Sequence, residues 1–187
     1  MSDLPSKLVE IIRHEPRLIG ALQIVRDLHL PDWYIAAGAI RNTVWDVLHG
    51  YTHRTPLNDV DVVYFETRDD ALAHDLSLWE KLQERDGTYT WNVFNQARAH
   101  EKFPLYPTHG PTSIFMSYWS ETPTCVGVRL EPDDTLTISA PHGLEDLFHL
   151  RVRPVPPPFQ DMELYRRRTT AKRWQETWPH LQIDKDV

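Results

Sequence analysis

The chemistry this chain could do centres on two acids one residue apart, Asp59 and Asp61, followed by Val62-Val63-Tyr64-Phe65. On a strand, side chains at i and i+2 leave the same face, so both carboxylates project together while the apolar residues continue into a buried strand. Two like charges that close hold one acid protonated unless a cation sits between them. Magnesium takes one or two carboxylates and fills its remaining positions with substrate phosphates and water. Alone, Asp-Val-Asp also fits an acidic turn before a strand, so the elements that position it must decide.

Upstream, Trp33 to Asn42 reads as a short buried strand, a tight glycine turn and the start of a helix. The helix continues through Val44, Trp45, Val47 and Leu48 at steps of three and four, and Gly50 suits a left-handed stop. A strand feeding a helix through glycine leaves N–H groups free at the helix N-terminus, where the dipole also favours an anion. Gly38, Ala39, Arg41 and Asn42 are therefore candidate substrate-binding residues, and Gly38 is expected to have a conformation or clearance that a side chain would spoil. The Arg41 guanidinium suits triphosphate oxygens, or alternatively a structural ion pair with a nearby carboxylate. A phosphate cradle followed by a paired-carboxylate metal site is what a nucleoside triphosphate with magnesium requires.

Ala37-Gly38-Ala39-Ile40-Arg41-Asn42, Leu48-His49-Gly50 and Asp59-Val60-Asp61 together resemble the nucleotidyltransferase core of the DNA polymerase β superfamily. The pattern is nearest to CCA-adding enzymes and bacterial poly(A) polymerases, which read Gly-Gly-x-Val-Arg-Asp, a leucine run, Gly, then Asp-x-Asp. Trp91 to Arg98, Tyr118 to Thr122, Val126 to Leu130 and Gly143 to Phe148 resemble a small bacterial nucleotidyltransferase-like family over most of the chain. The resemblance implies an α/β (α+β) fold, a small mixed β-sheet with flanking helices and a C-terminal helical arm. It also implies transfer of a nucleoside monophosphate from a nucleoside triphosphate, dependent on Mg2+ or Mn2+. In that chemistry Asp59 and Asp61 are catalytic and metal-binding, polarising the α-phosphate and helping to activate an acceptor hydroxyl. The acceptor stays open between an RNA end, a protein side chain and a small molecule.

The sequence departs from that pattern at three places. Alanine, at 37 or 39, replaces one glycine of the pair, and Asn42 stands where the relatives carry Asp. The superfamily places a third carboxylate on a later strand, but Thr90 to Asn95 contains no acid. Asn95, as a neutral ligand, or Glu121, from a loop, is the candidate substitute. A catalytically degenerate nucleotide- or partner-binding module of the same fold is therefore the alternative reading.

Size and charge narrow the field. A chain of 187 residues with 41% hydrophobic and 25% charged residues suits one globular core. A net charge of −7 opposes general duplex-DNA binding, which rests on a positive field. From Arg151 onward, however, 8 Lys/Arg face 5 Asp/Glu, concentrated in Arg166-Arg167-Arg168 and Lys172-Arg173. A single cysteine, Cys125, fits a reducing cytoplasm, and no apolar run reaches the ~18 residues of a membrane span.

Along the chain, two helices are expected on either side of Pro16, with Pro16 in the first turn of the second. A helix from about Asp69 to Arg85 carries Leu72, Leu76, Trp79 and Leu82 on one face, and a strand runs from Tyr89 to Phe94. Residues 96–111 read as an irregular loop, and Thr124–Leu130 and Thr135–Ala140 as strands. A short helix over Gly143–Leu150 closes a core of residues 1–153. Residues 154–187 then form a proline-rich connector and an arm, helical from about Gln160 to Thr177, packed on that core. His49 and His53 have a zinc-like spacing broken by Gly50. Trp91, Tyr106, Tyr118 and Trp119 suit either core packing or base stacking, and Cys125 a buried thiol.

Overall fold

The computed structural model describes residues 3–57, 59–68 and 71–185. Helices α1 (Leu4–Arg13) and α2 (Pro16–Arg26) lead in, with Asp3 capping α1 through Ser6 N and Pro16 opening α2 at its first position. Strand β1 (Tyr34–Ala36) feeds α3 (Gly38–Leu48), which gives way at Gly50 in the left-handed conformation. Strand β2 (Val60–Tyr64), helix α4 (Leu72–Arg85) and strand β3 (Trp91–Asn95) follow. Asp69 and Asp70, where α4 was expected to begin, lie outside the described residues.

Residues 96–111 are more regular than their prolines suggest. Gln96–Arg98 is a 3₁₀ turn and Ala99–Lys102 forms α5, before an irregular stretch reaches α6 (Thr112–Met116). Strands β4 (Gly127–Leu130) and β5 (Leu136–Ser139) form the expected hairpin, although Thr122–Thr124 is a 3₁₀ turn rather than the start of β4. Helix α7 (Glu145–Phe148) is shorter than its apolar pattern, and β6 (Arg151–Val152) follows. The arm divides: α8 (Met162–Lys172) and α9 (Trp174–Thr177) meet at Arg173 with φ 48, and β7 (Gln182–Ile183) pairs in parallel with β6.

The five-stranded sheet has the order β3-β2-β1-β4-β5, antiparallel except for the parallel β2–β3 pair. It is the mixed sheet with flanking helices that the sequence resemblance implies. Alternation along the strands sorts its two faces. Ile35, Val60, Val62, Tyr64 and Val128 point into the main core with Leu8, Ile12, Leu22, Ile40, Trp45 and Leu82. The opposite face carries Tyr34, Ala36 and Val63, packed with Met116 and Trp119. Gly127 keeps that second layer thin, since a Cβ there would lie 3.0 Å from both Met116 Cε and Tyr34 Cβ.

Helix α4 buries a face shifted from the one its apolar spacing suggests. Asp75, Leu78 and Leu82 are buried, while Leu72, Leu76 and Trp79 are 60%, 54% and 42% exposed. A buried carboxylate explains the rotation. Asp75 accepts from Tyr64 Oη at 2.6 Å and Asn95 N at 3.2 Å and pairs with Arg98, so α4 is pinned to β2 and to the end of β3. The C-terminal segment is pinned in the same way. Trp45 packs edge-on against Trp174 and Trp178, and Trp178 Nε1 donates to buried Asp46 at 2.8 Å. No helix among the described residues is long and apolar enough to cross a membrane.

Candidate nucleotide site

The site begins on the non-core face of β2. Asp59, exposed at the start of the strand, and Asp61 within it share this face with Val63. Register places Asp61 between Ala36 of β1 and Asn92 of β3. Asn92 Nδ2 donates to Asp61 Oδ1 at 2.7 Å. Burial pushes the Asp61 carboxyl up from its ordinary value; the Asn92 hydrogen bond opposes this, and neighbouring Asp59 adds to the rise.

The β1–α3 turn stands beside these acids. Its strained residue is Ala37, with φ 55 and ψ −121, close to the first central position of a type II′ turn that glycine normally fills. Gly38 has no positive φ, and an added Cβ would meet Arg41 Nη2 only at 3.8 Å and Asn42 Nδ2 at 3.9 Å, both ordinary contacts. The expected special conformation or clearance at Gly38 is not found within the protein itself: the demanding conformation lies one residue earlier, at Ala37. Ala37 is fixed by its N–H to Val126 O at 3.0 Å and by its carbonyl accepting from Arg41 N at 2.9 Å. Ala37, the N-cap residue of α3, makes no side-chain capping bond, and among the described residues the first N–H groups of the helix have neither an intrahelical nor a side-chain partner.

Asp59, Asp61, Gly38, Ala39, Arg41 and Asn42 line one groove of about 490 Å3, together with Asn92, Thr124, Arg168, Lys172 and Trp174. Arg41 reaches this groove as a strut rather than through an ion pair. Its Nη1 donates to Thr124 Oγ1 at 2.7 Å and its Nη2 to Asn42 Oδ1 at 3.0 Å, and its guanidinium lies against the Trp45 and Trp174 rings, 5.0 and 4.7 Å from their centroids. Burial lowers its pKa to about 10, which leaves it charged at neutral pH.

Neither Glu121 nor Asn95, the two candidate substitutes for a third acid, is among the residues that line the groove. Glu121 is fully buried, pairs with Arg168 Nε at 2.7 Å and accepts from Thr124 Oγ1 at 3.0 Å. Burial works against the Arg168 charge, but the hydrogen bond and charge of Glu121 outweigh it and raise its pKa. One buried carboxylate thus holds Arg168 directly and Arg41 through Thr124, a positioning role that sequence reading missed because its partner lies 47 residues away. Asn95 is also fully buried and braces the loop after β2, exchanging hydrogen bonds with the Glu66 backbone at 2.7 and 3.1 Å. The side chain that β3 presents to Asp61 is Asn92.

Several of the remaining candidates are taken up by packing. His49 stacks on His180 with centroids 4.7 Å apart, and its Nδ1 lies 2.7 Å from Trp45 O. Among the described residues no group of three or more His, Cys, Asp or Glu side chains is assembled for a metal. Trp91 is core, with Nε1 on Asp86 O at 2.9 Å, and Cys125 is buried with its thiol pushed well up, chiefly by burial. Tyr106 and Tyr118 belong to an aromatic run, Phe103–Tyr106–Tyr118–Phe159, with neighbouring centroids 5.0, 5.0 and 4.8 Å apart.

Known structures share this arrangement of elements. An NMR structure described as revealing a CCA-adding enzyme head domain superposes with a TM-score of 0.85 at 34% identity, over 96% of this chain and 95% of that one. A CCA-adding enzyme in complex with CTP gives a TM-score of 0.58 at 16% identity, over 98% of this chain and 43% of that one. A tRNA nucleotidyltransferase complexed with a primer tRNA and an incoming ATP analog gives 0.55 at 18% identity, over 88% and 46%. The last two are likenesses of fold, and this chain spans less than half of each. No curated protein matches the sequence. The pattern of the nucleotidyltransferase family matches residues 23–183, which include the β1–α3 turn, both aspartates and α8, and the chain belongs to that family.

Proposed function

We propose that this protein transfers a nucleoside monophosphate from a nucleoside triphosphate to an acceptor hydroxyl, with Mg2+ or Mn2+ held by Asp59 and Asp61. The observation that carries the reading is the shared groove: paired carboxylates, an uncapped helix N-terminus and three cationic side chains, Arg41, Arg168 and Lys172, line one cavity. CCA-adding enzymes of similar fold, in complex with CTP and with ATP, support a nucleoside triphosphate as the ligand.

The donor set suits such an ion. Two carboxylates on one strand face, one of them desolvated, meet the usual needs of a magnesium site that takes its other ligands from phosphate and water. When bound, the cation supplies charge neutralisation and polarisation at the α-phosphoryl group. The free N–H groups at the start of α3 hold the outer phosphates, and Arg168 and Lys172 offset their charge. The acceptor oxygen attacks the α-phosphorus, the bond to the β-phosphate breaks, and pyrophosphate leaves. Catalysis then rests on positioning and electrostatics. The single cysteine, buried and unpaired, suits a reducing cytoplasmic setting.

One observation favours a second reading. Asn92 supplies an amide where a third carboxylate would supply charge, which suits a module that binds nucleotide with little or no turnover. Pyrophosphate release and thermal stabilisation by each of the four ribonucleoside triphosphates with Mg2+ or Mn2+, measured with a small-metabolite extract present, separate the two. Release that disappears in Asp59→Ala supports the enzyme. Stabilisation without release supports the binding module, and neither response contradicts both.

A further inference from the structure

A second cavity, of about 510 Å3, opens from the same strands. Asp61 lies on its wall and on that of the groove. Along β2, Asp59 belongs to the groove and Val63 to this cavity, so the two succeed one another along one sheet face on either side of Asp61. β3 repeats the order, with Asn92 opposite Asp61 and Phe94 opposite Val63.

The two walls differ in chemistry. Both carry cations, and Arg168 lines the two; the groove adds the helix N-terminus, whereas the second cavity is walled by Phe94, Tyr106 and Trp119. Two buried polar side chains also line it, Gln96 at 2% exposure and Ser120 at 5%. Gln96 Oε1 and Ser120 Oγ are without a hydrogen-bond partner among the described residues. Lys102 and Arg167, both exposed, add positive charge, and neither is ion-paired among the described residues. Asp61 is the single carboxylate among the described lining residues.

We propose that this cavity is the acceptor subsite and that the acceptor is a small molecule combining a flat ring, a hydroxyl and an anionic group. The inference rests on the nucleotidyl-transfer reading. Its volume is that of a small-molecule site, and aromatic walls suit a planar ring. Lys102 and Arg167 receive the anion. In the transfer, the acceptor oxygen bonds to the α-phosphorus, the bond from that phosphorus to the bridging oxygen breaks, pyrophosphate departs with the electron pair, and the hydroxyl proton passes to solvent.

The test uses the full chain and two probes of this class, 4-hydroxybenzoate and pyridoxine 5′-phosphate, with a short single-stranded RNA as the competing acceptor. Probe binding is measured by calorimetry without nucleotide, ATP binding by thermal shift with Mn2+, and transfer by the mass gained by each acceptor. At least one probe should bind and gain a nucleoside monophosphate. Arg167→Glu and Lys102→Glu, both surface changes, should weaken probe binding about tenfold and leave the ATP shift unchanged. Binding of neither probe, binding without transfer, labelling of the RNA alone, or weakening of ATP rather than probe by these variants overturns the assignment. The last outcome makes the cavity a nucleobase subsite. Loss of the ATP shift with probe binding intact places the failure in the nucleotide-transfer reading and removes the acceptor role with it.

Discussion

Asn92 lies directly across the parallel β2–β3 pair from Asp61 and donates to its Oδ1 at 2.7 Å. The contact occupies one oxygen of a carboxylate that burial already makes costly to ionise, and it adds no charge of its own. Asn92→Asp replaces the amide with a third acid facing the same point. Mn2+ affinity measured by calorimetry should rise about tenfold, and pyrophosphate release should rise with it. Unchanged affinity would mean that Asn92 does not face the cation.

Ala37 adopts a backbone conformation suited to glycine, at the turn that presents the start of α3 to the groove. Ala37→Gly should raise thermal stability by about 1 kcal/mol, the relief of the strained φ less the flexibility that glycine adds. The matching Gly38→Ala change should be tolerated, because its new methyl finds only contacts of 3.8 Å and longer. Chemical denaturation of the two variants checks the pair, and the reverse ranking would move the strain back to Gly38.

Glu121 should behave as an anchor and not as a ligand. Arg168→Ala leaves its buried carboxylate with Thr124 as its side-chain partner, and should destabilise the fold by about 2 kcal/mol. That lies below the usual loss for a broken buried pair because Arg168 keeps 34% of its side chain in solvent. Glu121→Gln, which retains the shape, should cost less stability while lowering nucleotide affinity through a loosened Arg168. Equilibrium unfolding and nucleotide titration of both variants read the two effects separately.

Cys125 should be inert in the native protein. Burial, and after it the Glu121 charge, hold its thiol protonated well above the ordinary range. A thiol-specific reagent should modify it in denaturant and only very slowly in buffer. The sign of the pH dependence follows. The folded state retains a proton that the unfolded chain releases, so this contribution is complete below the unfolded thiol pKa of about 8.5 and is lost as pH rises above it. A Cys125→Ala variant should lack that alkaline loss of stability.

The parts of this site that lie on one element were legible in the sequence. Asp59 and Asp61 follow the two-residue period of a strand, and the apolar spacing of α3 places its start beside them. What depended on tertiary partners was not legible. Leu72, Leu76 and Trp79 have the spacing of a buried face, but Asp75 is held by Tyr64, Asn95 and Arg98 and turns α4 away from it. The role of Glu121 depends on Arg168, far along the chain, and β6 and β7 are two residues each, too short to show any period. The strain at Ala37 went unnoticed because the neighbouring Gly38 offered a simpler explanation of the turn.

The central claim, that Asp59 and Asp61 form a divalent-cation site serving a nucleoside triphosphate, is tested most directly by calorimetric titration of Mn2+ with and without ATP. The wild-type chain should bind the ion, more tightly when ATP is present, and the Asp59→Asn/Asp61→Asn variant should lose that binding while remaining folded. Equal Mn2+ binding by the folded double variant would contradict the account.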